Sequence, residues 1–373
     1  MKKTNLNIAL FTPNQNPYSE TFIQAHKKYL KGNIFYYYGK ENHIKLENKG
    51  DLVPYFFKII LKIYARLTNK SSKYVLNKSV LKSIKNNKID VILVEYGTHA
   101  YYLKQVLKDC GLPIIVHFHG YDASVTNIVK NCNNYKEIFQ LATKIIAVSK
   151  KMEDMLLKLG CPSAKLLYNV YGPQPEFETV EPEFKKKQFI AIGRFTEKKA
   201  PYYTILAFKE VLKTHSDALL LMAGNGELLN VCKNLVKYYK LEKSIIFLGV
   251  ITPEDYRSHI KKSLAFVQHS ITAASGNMEG TPLTILEASV AGLPVISTKH
   301  AGIPDVIIDK ETGLLSEEHD VEAMTENMLQ LLNDLNLSKR LGKRGKENIK
   351  ANYNIKRHIG VLDQEIENAV HHF

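Results

Sequence analysis

The chain of 373 residues is 45% apolar and 24% charged, which excludes general disorder and leaves room for two ordinary domains. Its four cysteines, at 110, 132, 161 and 232, form no CxxC pair and no Cys/His cluster of metal-ligand spacing, so they read as reduced thiols of a cytoplasmic protein and not as a disulfide frame. Of the net charge of +14, residues 1–180 hold 26 Lys+Arg against 13 Asp+Glu, which turns the first half toward an anionic partner.

The opening "MKKTNLNIALFTPN" contains only the short apolar run Ile8–Phe11. It is too short for a signal peptide and reads as a first strand. Nothing approaches about eighteen consecutive apolar residues, so no transmembrane helix is expected. Strand candidates at Leu6–Phe11, Asn33–Tyr38, Asp90–Glu95, Pro113–His119 and Lys144–Ser149 alternate with helical patterns at Thr21–Leu30, His99–Lys108 and Lys150–Leu159. Such alternation implies a parallel sheet covered on both faces.

Nine basic residues lie between Asp51 and Asp90 with no acid among them, and Lys58, Lys62 and Arg66 recur among Phe56, Phe57, Ile59, Ile60, Ile63, Tyr64 and Leu67. Two readings fit this helix: a basic amphipathic helix on an anionic membrane surface, or a core-packed helix with a solvated lysine face. No nucleic-acid motif accompanies the charge, and no nucleic-acid partner is expected. In "IIVHFHGYD" (114–122), alternation puts His117 and His119 on one face. A metal pair would need a third ligand, and none stands at the usual spacing, so a hydrogen-bonding role at the strand's carboxyl end is expected.

The proline-rich "YGPQPEFETVEPEFKKKQ" (171–188) reads as a linker. The expected layout is a first domain over 1–172, a linker over 173–187 and a second domain over 188–355. A C-terminal helix over 356–373 is a candidate to pack back on the first domain. Strands are expected at Phe189–Ile192, Ala218–Ala223, Ser244–Leu248, Leu264–Gln268 and Pro294–Ser297, before a helical region near 321–370. The fold class is α/β with two doubly wound domains, whose natural ligand site is a cleft at the strands' carboxyl ends.

Three stretches of the second half carry the chemistry. In "FIAIGRFTEKKAP" a buried strand ends in a Gly193 turn, followed by Arg194 and Lys199 before a helix; two such cations suit a diphosphate, although alone they are more often merely solvated. In "LLLMAGNGELLN" the strand–Gly–x–Gly–helix turn lacks the third glycine of a dinucleotide fingerprint, since Leu229 stands in its place. In "SGNMEGTPLTILEASVAGLPVIS", Thr281 is the expected N-cap and Pro282 the first helical residue. The amides from Gly280 to Thr284, apart from that of Pro282, then form an anion site. A carboxylate there would repel a phosphate, so Glu279 should address neutral hydroxyls. Glu287, six residues past Thr281 and about 9 Å along the axis, sits at a depth that suits a ribose diol. The plain alternative is a dipole-stabilising Glu279 and a surface Glu287.

"GRFTEKKAP", "AGNGEL" and "EGTPLTILEASVAGLPVISTKHAGIPD", in this order after a linker, resemble the retaining glycosyltransferases of family 4, which have the GT-B fold of two Rossmann-like domains. "HFHGYD" is similar to the family's first-domain His-Gly turn, and "SETFI" (19–23) to its N-terminal loop and helix. "EKKAPYYTILAF" and "VQHSITAASGNMEG" look most like the bacterial branch that builds exopolysaccharide, colanic-acid-like or lipopolysaccharide units. The resemblance implies that Arg194 and Lys199 clamp the donor diphosphate with amides near Leu283 and Thr284. It gives the ribose to Glu287 and the transferred sugar to Glu279 and His119. Gly249, Val250 and Ile251 would border the base, and Gly280, Thr281, Met278, Asn16, Ser19 and Glu20 complete the expected substrate contacts. Two departures stand out: "TPNQNPYSETF" replaces a glycine-rich loop, and His269-Ser270 a Pro-Ser step.

The resemblance further implies retention of anomeric configuration, with no metal and no cofactor beyond the nucleotide-sugar donor, expected to be UDP-linked. The expected acceptor is a glycan, with a lipid-linked glycan at the inner face of the membrane as the candidate. A nucleotide-sugar epimerase or hydrolase on the same fold is the alternative. A dehydrogenase is disfavoured by the broken glycine fingerprint.

Overall fold

A computed structural model describes residues 5–16, 20–40 and 43–373. The chain divides into two units: Met1–Asn169 with His358–Phe373, and Val170–Arg357. The first unit is built on seven strands: β1 (Asn7–Thr12), β2 (Asn33–Tyr38), β3 (Lys45–Leu46), β4 (Val91–Glu95), β5 (Ile114–His117), β6 (Lys144–Ala147) and β7 (Leu166–Tyr168). They lie in the order β3-β2-β1-β4-β5-β6-β7, all parallel except β3. β4 is buried along its whole length, as a parallel strand covered on both faces must be.

The second unit has six parallel strands: β8 (Gln188–Ile192), β9 (Leu219–Ala223), β10 (Ile245–Gly249), β11 (Ala265–Val267), β12 (Val295–Thr298) and β13 (Gly313–Ser316). Their order is β10-β9-β8-β11-β12-β13. Strand order reverses between β1 and β4 and between β8 and β11, and such sheets bind ligands outside the carboxyl ends at these points. The second core gathers Phe189, Phe208, Leu220, Met222, Val267 and Ile296, all essentially inaccessible. Truncating a ring such as Phe208 to alanine would cost about 3–5 kcal/mol.

The ten expected strands lie within two residues of the observed ends. The three unforeseen strands are β3, β7 and β13, of two, three and four residues. β13 also opens on Gly313, where a side chain would stand 2.5 Å from the Val295 carbonyl oxygen. The proline-rich segment packs on the second unit: Phe177 and Val180 are buried, and the Phe177 ring lies 5.2 Å from that of Tyr256. The last helix, Ile355–His371, belongs to the first unit from His358 onward. There Asp363 accepts the Lys31 amide at 2.9 Å.

The helix Tyr55–Leu67 corrects one expectation. Tyr55 and Phe56 are each 73% exposed and Leu67 is 81% exposed, while Ala65 alone is buried. Most of its large apolar side chains are therefore exposed, while Phe57, Ile59 and Leu61 are half-buried. Among the described residues no helix is long and apolar enough to cross a membrane.

Candidate active site

At the carboxyl end of β8, Gly193 turns the chain. A Cβ there would stand 2.8 Å from Lys199 Cδ, so glycine leaves the space the lysine stem crosses. A short turn, Glu197–Lys199, then leads into the helix Pro201–Val211. Lys199 Nζ donates to Gln268 Oε1 at 3.2 Å and lies 3.4 Å from Glu279 Oε1. Lys198 Nζ donates to the Met278 carbonyl at 3.0 Å and lies 3.7 Å from the same carboxylate oxygen. Both carboxylate distances are ion-pair contacts, too long for good hydrogen bonds. Burial alone would raise the Glu279 carboxyl, yet the charges of Lys198, Lys199, His300 and Arg194 hold it down at about 2. Lys199 is pushed below the usual lysine range by burial, against the pull of Glu279. Arg194 is exposed, and with Gly193, Lys199 and Gln268 it lines a small pocket at this strand end.

The helix that follows Glu279 runs Leu283–Val290 and is capped by Pro282, not Thr281. The Pro282 backbone is extended and its carbonyl accepts the Ile285 and Leu286 amides, so Thr281 stands one residue outside the helix, buried. The helix itself offers no acceptor to the amides of Leu283 and Thr284. Gly280 is fixed by its carbonyl, which takes the Gly302 amide at 3.0 Å. Glu287 is buried inside this helix, and burial raises its carboxyl to about 8. Among the described residues no cation pairs with it. The reading of Glu287 as a surface acid is thereby overturned.

Across the turn, a Cβ on Gly224 would fall 1.9 Å from the Gly193 carbonyl oxygen. The glycine of the broken fingerprint thus serves close packing of two turns. The Gly224 amide donates to the Gly249 carbonyl at 2.7 Å. Gly249 ends β10 and is not a loop residue, while Val250 beyond it is exposed and Ile251 half-buried.

In the first unit, His119 lies two residues beyond β5, not on it. Its ring stacks on Phe22 at 4.4 Å and its Nε2 donates to Glu95 Oε2 at 2.7 Å. The His26 Nδ1 donates to Glu95 Oε1 at 2.7 Å, and His117 Nδ1 lies 3.4 Å from Glu95 Oε2. The third group that the sequence did not place beside the histidine pair is therefore Glu95, with His26. Burial opposes ionisation of Glu95, but the imidazoles of His26, His117 and His119 hold its carboxyl well below the usual range. Burial and the neighbouring His119 lower His117 to about 3. Asp122 fixes the turn by accepting the amides of His119, Gly120 and Gly97. Asn16 is tied to Gln24 and Tyr36, Glu20 precedes the helix Thr21–Tyr29, and Ser19 lies outside the described residues.

Residues 46–169 match the family model Glycosyltransferase Family 4, and residues 174–348 match Glycosyl transferases group 1. The chain thus carries a Glycosyltransferase Family 4 domain followed by a Glycosyl transferases group 1 domain. The amylovoran biosynthesis glycosyltransferase AmsK of Erwinia amylovora is 29% identical over 271 residues, 70% of this chain and 66% of that protein. The putative colanic acid biosynthesis glycosyltransferase WcaL of Escherichia coli strain K12 is 26% identical over 250 residues, 64% of this chain and 60% of that protein. The match thus spans less than two thirds of either relative's length. In fold the chain resembles Anabaena HepE in complex with UDP-glucose, with a TM-score of 0.75 at 14% identity over 99% of this chain and 100% of that one. The fold is GT-B.

Lys198 escaped the sequence reading because it adjoins Lys199 and looks like one more solvated lysine. His300 and Glu318 were also missed. The Glu279 amide donates to His300 Nε2 at 3.0 Å, and His300 Nδ1 donates to Glu318 Oε1 at 2.6 Å. Glu318 takes the Thr272 amide as well, at 2.7 Å. These bonds pin the loop that presents Glu279. The unexplained His269 now has a structural role: its Nε2 accepts the His319 amide at 3.0 Å and its ring packs 4.8 Å from Tyr203.

Proposed function

We propose that the protein transfers a hexose-type sugar, with retention, from a UDP-linked donor to a glycan acceptor in bacterial surface polysaccharide synthesis. One observation carries the reading: Arg194, Lys198 and Lys199 gather at the carboxyl end of β8 around a loop whose next helix offers the Leu283 and Thr284 amides. That constellation suits a diphosphate. Glu287 then takes the ribose hydroxyls, Glu279 a hydroxyl of the transferred sugar, and Gly249, Val250 and Ile251 the base side. Asn16, Ser19 and Glu20 belong to the acceptor side, and His119 meets a sugar hydroxyl. AmsK and WcaL, named for amylovoran and colanic acid biosynthesis, and the UDP-glucose complex of HepE support the choice of pathway class and donor.

In the proposed reaction the acceptor hydroxyl oxygen bonds to the anomeric carbon on the face from which the diphosphate leaves. The carbon–oxygen bond to the diphosphate breaks, and the acceptor proton passes to the departing oxygen. The cations and helix amides stabilise the charge that develops on that leaving group. UDP-, GDP- and ADP-sugars ranked by thermal shift test the donor, since a bound ligand raises apparent stability. A transferase turns over the donor only when a glycan acceptor is supplied; equal turnover without acceptor means a hydrolase or epimerase.

The acceptor is a lipid-linked glycan, met at an anionic membrane surface through the helix Tyr55–Leu67. Its exposed Tyr55, Phe56, Ile60 and Leu67 beside Lys62 and Arg66 favour this. Co-sedimentation with anionic vesicles should fall in high salt and on changing Lys58, Lys62 and Arg66 to Glu. Unchanged sedimentation removes the membrane contact.

A further inference from the structure

The segment 268–282, between β11 and the helix Leu283–Val290, carries Glu279 outside any helix or strand. Its backbone is fastened by other parts of the second unit. The Ile271 amide donates to the Lys198 carbonyl at 2.9 Å, the Ala274 amide to Glu197 Oε1 at 2.9 Å and the Thr272 amide to Glu318 Oε2 at 2.7 Å. At the far end the buried Glu279 amide donates to His300 Nε2 at 3.0 Å. A buried amide without an acceptor is costly, and here a side chain supplies the acceptor.

That bond fixes where the hydrogen of the imidazole sits. An amide N–H bonds to an imidazole nitrogen only at its lone pair, so His300 Nε2 carries no hydrogen. His300 Nδ1 meets Glu318 Oε1 at 2.6 Å and therefore donates its hydrogen to the carboxylate. Both ring nitrogens are thereby engaged, and none is left for a substrate. The ring is 1% exposed and stands two residues beyond β12, while Glu318 stands two residues beyond β13. Glu318 Oε1 also accepts the Thr272 hydroxyl at 3.2 Å, which ties the carboxylate back to the same segment.

The ionisable groups facing the ring are Glu318, Glu279, Lys198 and His269. Burial lowers His300 below the ordinary histidine value, against the pull of Glu318 and Glu279. A neutral ring is what the bond from the Glu279 amide requires.

We propose that His300 is the positioning residue for Glu279: its unprotonated Nε2 holds the Glu279 amide, and Glu318 keeps the hydrogen on Nδ1 so that Nε2 stays the acceptor. A second proton on the ring would sit on Nε2 and break that bond, so acid releases the Glu279 peptide. This rests on the glycosyl-transfer reading, in which Glu279 meets a hydroxyl of the transferred sugar. A carboxylate that selects the tautomer of an imidazole is the logic of catalytic triads and of metal-bound histidines, applied here to a loop that presents an acid.

Nitrogen NMR of histidine-labelled full-length protein reads the ring, the His300 signal being assigned by its loss in His300→Gln. The parent should show a neutral Nδ1–H tautomer at neutral pH. His300→Asn keeps a donor toward Glu318 but leaves the Glu279 amide without its acceptor. It should lower kcat about 10- to 100-fold, with UDP affinity changed less than about threefold. His300→Gln brings an oxygen toward the place of Nε2 and does not titrate, so it should recover most of kcat. In the parent, kcat should fall on the acid side at the pH where NMR shows His300 taking its second proton, and the Gln enzyme should lack that limb. A merely structural His300 would lower the melting temperature of both variants and leave kcat and the acid limb of the folded enzymes in place. Three results would overturn the proposal: an Nε2–H or doubly protonated ring in the parent at neutral pH, which needs no variant; a His300→Asn enzyme with parental kcat; or the same acid limb in the Gln enzyme. Failure of the glycosyl-transfer reading looks different, as an Nδ1–H tautomer in a protein that turns over no nucleotide sugar.

Discussion

Glu279 and Glu287 stand eight residues apart on one loop-and-helix segment, both buried, and they are held in opposite states. Glu279 sits at about 2 because Lys198, Lys199, His300 and Arg194 outweigh the cost of its burial. Glu287, with burial acting alone, sits at about 8 and is protonated at neutral pH. A buried carboxylate keeps its charge only where cations or donors accompany it. Glu279 is thus kept ionised by the cations around it, although its Oε1 accepts no hydrogen bond, whereas Glu287, with no cation beside it among the described residues, suits a ligand that brings hydroxyl donors. The ribose diol proposed for it is such a ligand.

The largest expected effect tests the cluster. Lys199→Ala should lower kcat/KM by about 10²- to 10³-fold in a donor–acceptor assay; a loss under threefold would detach Lys199 from the leaving group. Glu279→Gln keeps the shape and removes the negative charge beneath the lysines. It should slow kcat about 10- to 100-fold while UDP binding, measured by calorimetry, holds or tightens. Weaker UDP binding with unchanged kcat would reverse the roles given to the two acids.

Glu287→Gln should weaken UDP binding about tenfold, the worth of one hydrogen bond to a charged group. It also changes stability with pH. Because the folded carboxyl holds its proton to about 8 while the unfolded one loses it near 4.5, the unfolded chain binds fewer protons between these values. Parental stability therefore falls as pH rises through that window, by on the order of a few kcal/mol. Thermal melts of the Gln variant should be flatter there, and an equal slope would mean that Glu287 ionises normally. The smallest effect is in proton counting. If UDP binds the ionised form, binding at pH 7 releases up to one proton, visible as a buffer-dependent binding enthalpy.

Much of this was legible because it is local. The Gly193–Lys199 turn, the Pro282 helix start and both acids lie within short stretches, where strand period, turn residues and helix rise fix their spacing. Thr281 was misplaced as the cap because a proline can occupy either the first helical position or the one before it. Lys198, His300 and Glu318 were invisible because their sequence neighbours do not mark them. The same holds for the first unit, where the bonds of His26 to Glu95 and to His358 join residues 69 and 332 positions apart.

The sequence by itself determined two parallel-sheet domains, the cationic turn after β8 and the acid–Gly–Thr–Pro–helix–acid segment, since periodicity and turn chemistry are properties of consecutive residues. Tertiary structure alone decided the charge states. It surrounded Glu279 with lysines, left Glu287 with no cation among the described residues and ringed Glu95 with imidazoles, because desolvation and Coulomb energy depend on distances in space that separation along the chain does not encode.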